Sequence, residues 1–256
     1  GGGRVFVKTS ADAAARGSFT AEAAGLRWLG EPSALAVPEV LAVADGEHPP
    51  RFLALAWIDA GPATPASDEA LGRGLAAVHA AGAPAFGGGG RAEAVVRVGP
   101  LVLPNAPAAD WPDFYATRRL EPLARLALQH GALPAEAPAL LDRVIARLPQ
   151  LAGPVEPPAR LHGDLWAGNV LVDRGQRPWL IDPAAYAGHR ELDLAMLRLF
   201  GGPSERCFAA YEECSPLAAG AAERVALWQL APLLLHAALF GSAWGARATA
   251  VLRRYA

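Results

Sequence analysis

Hydrophobic and polar residues follow different periods in the two parts of the chain. Residues 4–8 alternate between polar and apolar positions, as in a half-buried strand, and residues 19–29 carry leucines near one face of a helix. The apolar run at residues 52–58 is bounded by proline and glycine residues that form turns. This pattern predicts a small N-terminal unit of strands and one helix over residues 1–60.

Beyond residue 60 the pattern becomes mainly helical, because apolar residues recur at the spacing of one helix face. The segments with this spacing are residues 71–78, 114–128, 140–148, 192–200, 206–211, 224–240 and 246–255. Pro232 lies inside the segment 224–240, where a proline is expected to kink a helix. The sequence therefore predicts an α+β chain with a larger, mainly helical unit over residues 61–256.

A polar cluster interrupts the helical region and carries the candidate chemistry. Asp164 and Asn169 share one short loop, and the apolar runs 169–172 and 177–181 predict a hairpin that returns Asp182 to the level of Asn169. Such a site can present a carboxylate base to a hydroxyl, while the amide oxygen and the second carboxylate hold Mg²⁺. Each residue alone could be a turn former, but together the three predict a kinase.

Composition excludes several classes of protein. The 256 residues carry 23 basic and 25 acidic side chains, which leaves no electrostatic footprint for nucleic acid or an anionic membrane. The apolar run 225–240 is too short and too interrupted to span a bilayer, and the N-terminus lacks the pattern of a secretion signal. Cys207 and Cys214 form no disulfide or metal-binding pattern. We expect a cytoplasmic enzyme without nucleic-acid or membrane partners.

Three blocks of the sequence resemble the fructosamine kinase (ketosamine 3-kinase) family, namely residues 162–169, 181–186 and 188–196. Residues 111–120 and 229–241 extend the likeness, so that it covers nearly the whole chain. Compared with protein kinases, His-Gly-Asp replaces His-Arg-Asp and Asp-Pro-Ala replaces Asp-Phe-Gly. Both changes favour the branch of the protein-kinase-like superfamily that acts on small molecules. This branch, also called aminoglycoside phosphotransferase-like, includes aminoglycoside kinases and choline kinases.

The resemblance implies a two-lobed protein-kinase-like fold, with a small N-terminal antiparallel β lobe and a larger, mainly helical C-terminal lobe. Residues 1–60 would form the nucleotide-binding lobe, and residues 61–256 would carry the catalytic loop and the acceptor site. The family has further strands and a glycine-rich phosphate-covering loop upstream, whereas here the three glycines at residues 1–3 stand directly before the lysine strand. The N-terminal lobe is therefore expected to lack its first strands, and both truncation and disorder stay open as reasons.

The same resemblance implies a site for ATP and Mg²⁺. Lys8 would touch the phosphates and pair with Glu22, while Asn169 and Asp182 would hold the metal ion. Asp164 would accept the proton of the acceptor hydroxyl. The residues whose backbone is expected at the adenine edge are Ala56, Trp57 and Ile58.

Further residues are expected around the acceptor and beneath the catalytic loop. Trp166 would offer a flat face to a sugar or a π surface to an ammonium group, although packing in the core is an equally open interpretation. His162 would pack under the metal loop, and Asp193 would accept hydrogen bonds from the loop backbone. The other residues expected to line the acceptor pocket are Tyr186, Arg190 and Glu191.

Together these expectations describe transfer of the ATP γ-phosphoryl group to the C3 hydroxyl of a ketosamine, a step in removing sugars from glycated amines. The partner would be a small-molecule ketosamine or another glycated amine. Two alternatives stay open: a kinase for another amine-bearing alcohol, such as an aminoglycoside or a choline-like compound, and a nucleotide-binding pseudokinase. The attached amine and the oligomeric state also stay open.

Overall fold

The computed structural model describes residues 3–12, 16–89 and 94–256 of the chain. Its N-terminal part combines a small antiparallel sheet with one helix. The strands, in their order across the sheet, are β1 (Val5–Ser10), β3 (Arg51–Ala56) and β2 (Val40–Ala44). Helix α1 (Ser18–Gly30) lies between β1 and β2 in the chain. The predicted strand, helix and strand are thus present, and β2 is an addition to them.

Helix α1 is held against the sheet at its middle and at its start. Leu26 lies in one buried cluster with the leucines of β3. Gly17 provides no side-chain cap, and instead the Thr20 N–H donates to the Asp45 carboxylate, 3.0 Å away in the turn between β2 and β3. This oxygen satisfies a donor that the helix itself cannot pair. The two attachments orient the helix face that carries Glu22.

The remaining described residues form a larger, mainly helical part. Its helices are α2 (Pro65–Ala80), α3 (Trp111–Tyr115), α4 (Glu121–Gln129), α5 (Ala137–Leu151), α6 (Glu191–Leu199), α7 (Glu205–Cys214), α8 (Ala221–Trp228), α9 (Leu230–Phe240) and α10 (Ser242–Tyr255). Their apolar faces meet in a core around the fully buried rings of Phe114, Tyr115 and Trp228. None of the helices in the described ranges is both long and apolar enough to cross a membrane. The predicted α+β class is confirmed.

Short sheets within the helical part carry the loops that matter for the chemistry. Their strands are β4 (Ala60–Gly61) with β8 (Val170–Asp173) and β9 (Pro178–Leu180), β7 (Ala159–Leu161) with β10 (Tyr186–Gly188), and β5 (Val95–Val98) with β6 (Leu101–Pro104). The predicted hairpin is β8–β9, in which Val170 pairs with Leu180. Asp182 follows β9 and residues 162–169 join β7 to β8. The predicted boundary after residue 60 falls inside β4 and stays a prediction.

Two details differ from the sequence-based expectation. The β5–β6 hairpin is not among the predicted elements, although β-branched residues such as Val95 and Val98 precede a turn at Gly99. Pro232 does not kink a long helix, because it is the third residue of α9, where a backbone N–H has no partner within the helix. The chain breaks earlier, at Gln229, between α8 and α9.

A π-helical turn, Ala116–Leu120, joins α3 to α4 and buries Arg119. Pro122 has no N–H to donate within the helix, and Arg119 Nη1 donates to the Arg118 carbonyl instead, at 2.9 Å. The same guanidinium donates to a carbonyl of β6 and lies 4.0 Å from the ring centroid of Tyr186 on β10. This buried cation therefore ties the π-helical turn to two of the short strands.

Candidate active site

One buried carboxylate holds the loop at residues 162–169. Asp193, in the first turn of α6, is fully buried, and its oxygens accept hydrogen bonds from the backbone N–H groups of His162 (2.7 Å) and Gly163 (3.0 Å). His79 Nε2 lies 3.4 Å from the same carboxylate. A buried carboxylate is costly unless donors surround it, so these contacts favour a single position of the loop. The geometry is the one expected for an anchoring aspartate.

The loop requires glycine at position 163 and uses the histidine before it as a support. Gly163 has a φ of +79°, and a Cβ there would lie 2.1 Å from the Ala184 carbonyl oxygen. His162 Nε2 donates to the Ile181 carbonyl at 2.8 Å, and its Nδ1 accepts from the Asp164 N–H at 3.3 Å. His162 thus joins the loop to the residue before Asp182, which fits the expected structural role.

Asp164, Asn169 and Asp182 meet at one cavity of about 330 Å³. Asn169 Nδ2 donates to the carbonyl of Asp164 at 2.8 Å and to its carboxylate at 3.1 Å, which leaves the amide oxygen of Asn169 for another partner. Asp182 has a φ of +54°, a conformation that non-glycine residues adopt mainly where function or packing imposes it. Together, the amide oxygen and the carboxylate are hard donors of the kind that bind Mg²⁺.

Lys8 reaches the same cavity from β1. Its Nζ donates to the two carboxylate oxygens of Glu22 at 2.8 and 2.9 Å, and to Asp182 Oδ1 at 2.5 Å. Burial lowers the pKa of Lys8, but hydrogen bonds and charge from Asp182 and Glu22 outweigh burial and raise the pKa above its usual value. Burial raises the pKa of Glu22, against the opposing effect of Lys8. Because the Lys8 ammonium donates to both carboxylates, these contacts favour the charged form of the Lys8–Glu22 pair.

An apolar pocket of about 250 Å³ adjoins this cavity at the end of β3. Its lining includes Phe6, Leu171, Ile181 and the residues predicted for adenine binding, Ala56, Trp57 and Ile58. Asp182 also borders the apolar pocket, so one end of the pocket meets the cavity that contains Lys8. The Ala56 N–H is already used by the Glu39 carbonyl at 2.9 Å. An apolar pocket of this size next to charged groups suits a heterocycle such as adenine.

A larger cavity of about 480 Å³ borders the Asp164 carboxylate as well. Its aromatic lining consists of Trp166, Phe200, His236, Phe240 and Trp244. The Trp166 side chain is 41% exposed and lies edge-on to Phe200, with ring centroids 6.3 Å apart. Trp166 is therefore a wall of this cavity and not a core residue. We call this cavity the aromatic pocket.

Sequence reasoning missed most of the aromatic pocket. Phe200 lies at the end of α6, His236 and Phe240 lie one turn apart on α9, and Trp244 is on α10. His236 was not among the residues expected at the site, although it is part of this lining. The spacing of His236 and Phe240 places them on one helix face, which is the available sequence signal. Their meeting with Trp166 depends on the packing of distant helices.

Tyr186 borders Asp164 in a different way from that expected. It is 3% exposed and lines a small recess of about 40 Å³ beside Asp164, together with Arg119. Burial raises the pKa of its hydroxyl, against the opposing charge of Arg119. The recess has room for one small group. Tyr186 is not among the residues that line the aromatic pocket with Trp166.

Arg190 and Glu191 do not line the acceptor pocket, contrary to the sequence-based expectation. Arg190 donates to the Glu156 carboxylate at 2.6 and 2.8 Å. Glu191 accepts hydrogen bonds from Arg224 at 2.5 and 3.0 Å and from Trp228 Nε1 at 2.8 Å. Their position next to β10 in the sequence is misleading, because both charges are satisfied by partners within the helical part.

The electrostatics of Asp164 suit a proton acceptor. Burial raises the pKa of its carboxyl, and the charge of His162 and the hydrogen bond from Asn169 oppose this effect. A carboxylate with a raised pKa binds a proton more readily. A buried carboxylate between a lysine-containing cavity with oxygen donors and an aromatic pocket is an arrangement typical of a phosphotransferase.

Comparison with known proteins narrows this class. The fructosamine kinase family model matches residues 1–256, and the chain therefore belongs to the fructosamine kinase family. It is 35% identical over 242 residues to a Lactiplantibacillus plantarum protein named "Probable ketoamine kinase", which covers 93% of this chain and 81% of the relative. It is 30% identical over 273 residues to the Mus musculus ketosamine-3-kinase, which covers 98% and 87% of the two chains. The protein is thus a kinase.

Solved structures support the same conclusion. A crystal structure of a candidate fructosamine-3-kinase from Thermobifida fusca superposes with a TM-score of 0.89 at 45% identity, over 98% of this chain and 86% of that one. The aminoglycoside phosphotransferase APH(4)-Ia superposes with a TM-score of 0.62 at 20% identity, over 100% and 88% of the two chains, and shows the shared fold alone. The expected protein-kinase-like fold is confirmed.

The position of the Trp166 ring against Gly168 gives a first testable prediction. A Cβ at Gly168 would lie 2.2 Å from Cη2 of Trp166, so Gly168→Ala should displace the indole and lower kcat/KM for the acceptor roughly tenfold, with the KM for Mg·ATP unchanged. In a Trp166→Ala background the same substitution should have little effect. Steady-state kinetics of the native protein, the two single variants and the double variant can measure this difference.

Gly46→Ala is the matched control for this prediction, because nothing lies within 4 Å of a Cβ at that position. It should leave both kinetic constants unchanged. An equal loss on Gly168→Ala with and without Trp166 would show that Gly168 acts through Asn169 or the loop backbone and not through the indole.

Proposed function

We propose that this protein transfers the γ-phosphoryl group of ATP to the C3 hydroxyl of a low-molecular-weight ketosamine. One observation carries the proposal: Asp164 lines both the cavity that contains Lys8 and Asp182 and the aromatic pocket beside Trp166. A base in that position can reach a hydroxyl that faces a nucleotide in the first cavity while the rest of the acceptor occupies the second. Relatives named as ketoamine and ketosamine kinases support this choice of acceptor.

The first cavity suits Mg·ATP. The apolar pocket beside β3 would take the adenine, and Lys8, paired with Glu22, would bind phosphate oxygens. Asn169 and Asp182 would hold Mg²⁺, since the amide oxygen and the carboxylate form a donor set that this ion accepts. When bound, the ion supplies positive charge that neutralises the β- and γ-phosphates.

Asp164 would act on the acceptor. Its carboxylate accepts a hydrogen bond from the acceptor hydroxyl and takes the proton as the hydroxyl oxygen forms a bond to the γ-phosphorus. The bond between that phosphorus and the β–γ bridging oxygen breaks, and ADP leaves with the electron pair. Asn169 Nδ2, 3.1 Å from the carboxylate, keeps Asp164 oriented, and the raised pKa of the carboxyl favours the transfer.

The aromatic pocket distinguishes between acceptor classes. Aromatic faces can hold the methylene groups of an attached amine, and an ammonium group gains a cation–π contact there. Among the described residues that line the pocket, Asp164 is the only carboxylate. An aminoglycoside carries several ammonium groups that would lack counter-charges in such a pocket. A ketosamine, with one amine next to its sugar, is the better match.

We expect kcat/KM to be higher for ketosamines such as fructose-lysine or ribulose-lysine than for the free ketose or a representative aminoglycoside. Each polar contact that an acceptor fails to make typically costs about 1–3 kcal/mol, or roughly tenfold to a hundredfold in specificity. The measurement is the initial rate of ADP formation at fixed Mg·ATP for each acceptor. Equal values for ketose and ketosamine, or a preference for the aminoglycoside, would refute the acceptor assignment.

The two aspartates should separate catalysis from nucleotide binding. Asp164→Asn should lower kcat roughly 10²–10⁴-fold and leave the Kd of Mg·ATP nearly unchanged, because a base acts mainly in the transition state. Asp182→Asn should weaken Mg·ATP binding as well as turnover, because it removes charge from the metal donors. Calorimetric titration and steady-state kinetics give the two values.

Asp142→Asn is the control for this pair, since Asp142 lies at an exposed position on α5, outside the cavity. It should change neither constant. Full turnover in Asp164→Asn would remove the base from the proposed mechanism, and unchanged Mg·ATP affinity in Asp182→Asn would reduce Asp182 to a turn residue.

A further inference from the structure

Arg97 brings a positive charge to the catalytic cavity from the β5–β6 hairpin. It is the third residue of β5 and lines the same cavity as Lys8, Asp164, Asn169 and Asp182. This hairpin is not among the elements predicted from the sequence, and Arg97 has no part in the roles described above. Its placement beside the reacting groups therefore needs an explanation of its own.

The charge of Arg97 has no partner among residues 3–12, 16–89 and 94–256, where the structure shows neither a hydrogen bond nor an ion pair to its guanidinium. Other partly or fully buried arginines differ, since Arg160, Arg190 and Arg224 each donate to a carboxylate at 2.5–2.8 Å. Glu22, which also lines the cavity, is occupied by Lys8. An unpaired guanidinium in a cavity of this size is an available anion-binding group.

The neighbourhood of Arg97 strengthens its preference for an anion. Its Nε and Nη2 lie 3.5 Å from the position that a Cβ on Gly17 would occupy, so the guanidinium stands over the first turn of α1. The start of a helix carries partial positive charge. The Asp45 carboxylate already occupies one donor of this turn, at Thr20, so the guanidinium is the group that stays available to a further anion.

The position of the hairpin indicates which anion binds. Val96, Arg97 and Gly99 line the catalytic cavity, whereas Val98 and Gly99 line the aromatic pocket. Arg97 thus stands where the nucleotide side meets the acceptor side, and the group that passes between them is the γ-phosphoryl. We propose that Arg97 donates hydrogen bonds to the non-bridging oxygens of the γ-phosphoryl group during transfer. The arginine stays protonated throughout, and no bond to it forms or breaks.

The proposed interaction should be stronger in the transition state than in the ground state. In the transition state the γ-phosphoryl group lies between the nucleotide side and the acceptor side, where the guanidinium is fixed. This inference rests on the proposed kinase mechanism, but not on the identity of the acceptor. Slow hydrolysis of Mg·ATP without any acceptor passes through the same phosphoryl group. It therefore offers a readout that survives if ketosamines are not the substrates.

The test compares Arg97→Gln and Arg97→Lys with the native protein. Arg97→Gln should lower kcat for transfer, and the rate of acceptor-free Mg·ATP hydrolysis, roughly 10²-fold, with the Kd of Mg·ADP within about twofold of the native value. Arg97→Lys should recover part of both rates, since it keeps the charge but loses the bidentate geometry. Arg125→Gln, at an exposed position on α4, is the matched control and should change none of these values.

Two acceptors separate the phosphoryl group from an acceptor anion as the partner of Arg97. One is fructose-lysine, which carries a carboxylate, and the other is the ketosamine of fructose and butylamine, which carries none. The proposal predicts the same loss for both in Arg97→Gln. Three results for Arg97→Gln would each overturn the proposal. They are a loss of rate confined to fructose-lysine, a loss of Mg·ADP affinity as large as the loss of transfer rate, and unchanged rates of transfer and hydrolysis. Absence of ketosamine phosphorylation by the native protein would instead overturn the acceptor assignment.

Discussion

The arrangement of the site depends on the buried carboxylate of Asp193. Removing a carboxylate from water is costly, and it is tolerated here because two backbone N–H groups donate to it at 2.7 and 3.0 Å. Those donors belong to the first residues of the catalytic loop, so the loop is placed by a group in the interior of the helical part. The positions of Asp164 and Asn169 depend on these hydrogen bonds to Asp193, since both residues follow within the same short loop.

A second constraint joins the N-terminal sheet to this loop. Lys8 on β1 bonds with Glu22 on α1 and with Asp182 after β9, three segments that are far apart in the chain. The lysine is drawn toward Asp182, and under the proposed function the nucleotide phosphates would meet a preformed set of charges. Preorganised charge of this kind lowers the cost of reorganisation during phosphoryl transfer. Under the proposed function the aromatic pocket would then select which alcohols approach Asp164 from the other direction.

Much of this account follows from local sequence signals. The β8–β9 hairpin belongs to a short segment whose apolar runs and turn predict its geometry, whereas the Lys8–Glu22 pair was expected only from the resemblance to the family. The structure contains both. Residues outside such segments could not be placed in this way. Phe200, His236 and Trp244 meet only through packing between helices, and Arg190 and Glu191 lie near the catalytic loop in sequence but bond elsewhere. Contacts made by tertiary packing leave little trace in periodicity or spacing.

The most direct test of the central claim is the activity of Asp193→Asn. Asparagine keeps the volume but replaces one acceptor oxygen with an N–H₂ donor, which must then face a backbone N–H of the loop. We predict a fall in kcat of about 10²-fold, because misplacement of a catalytic group by about 1 Å has an effect of this size. The folded fraction measured by circular dichroism should stay unchanged at the assay temperature. Native turnover in a folded Asp193→Asn protein would contradict the view that this carboxylate positions the catalytic loop.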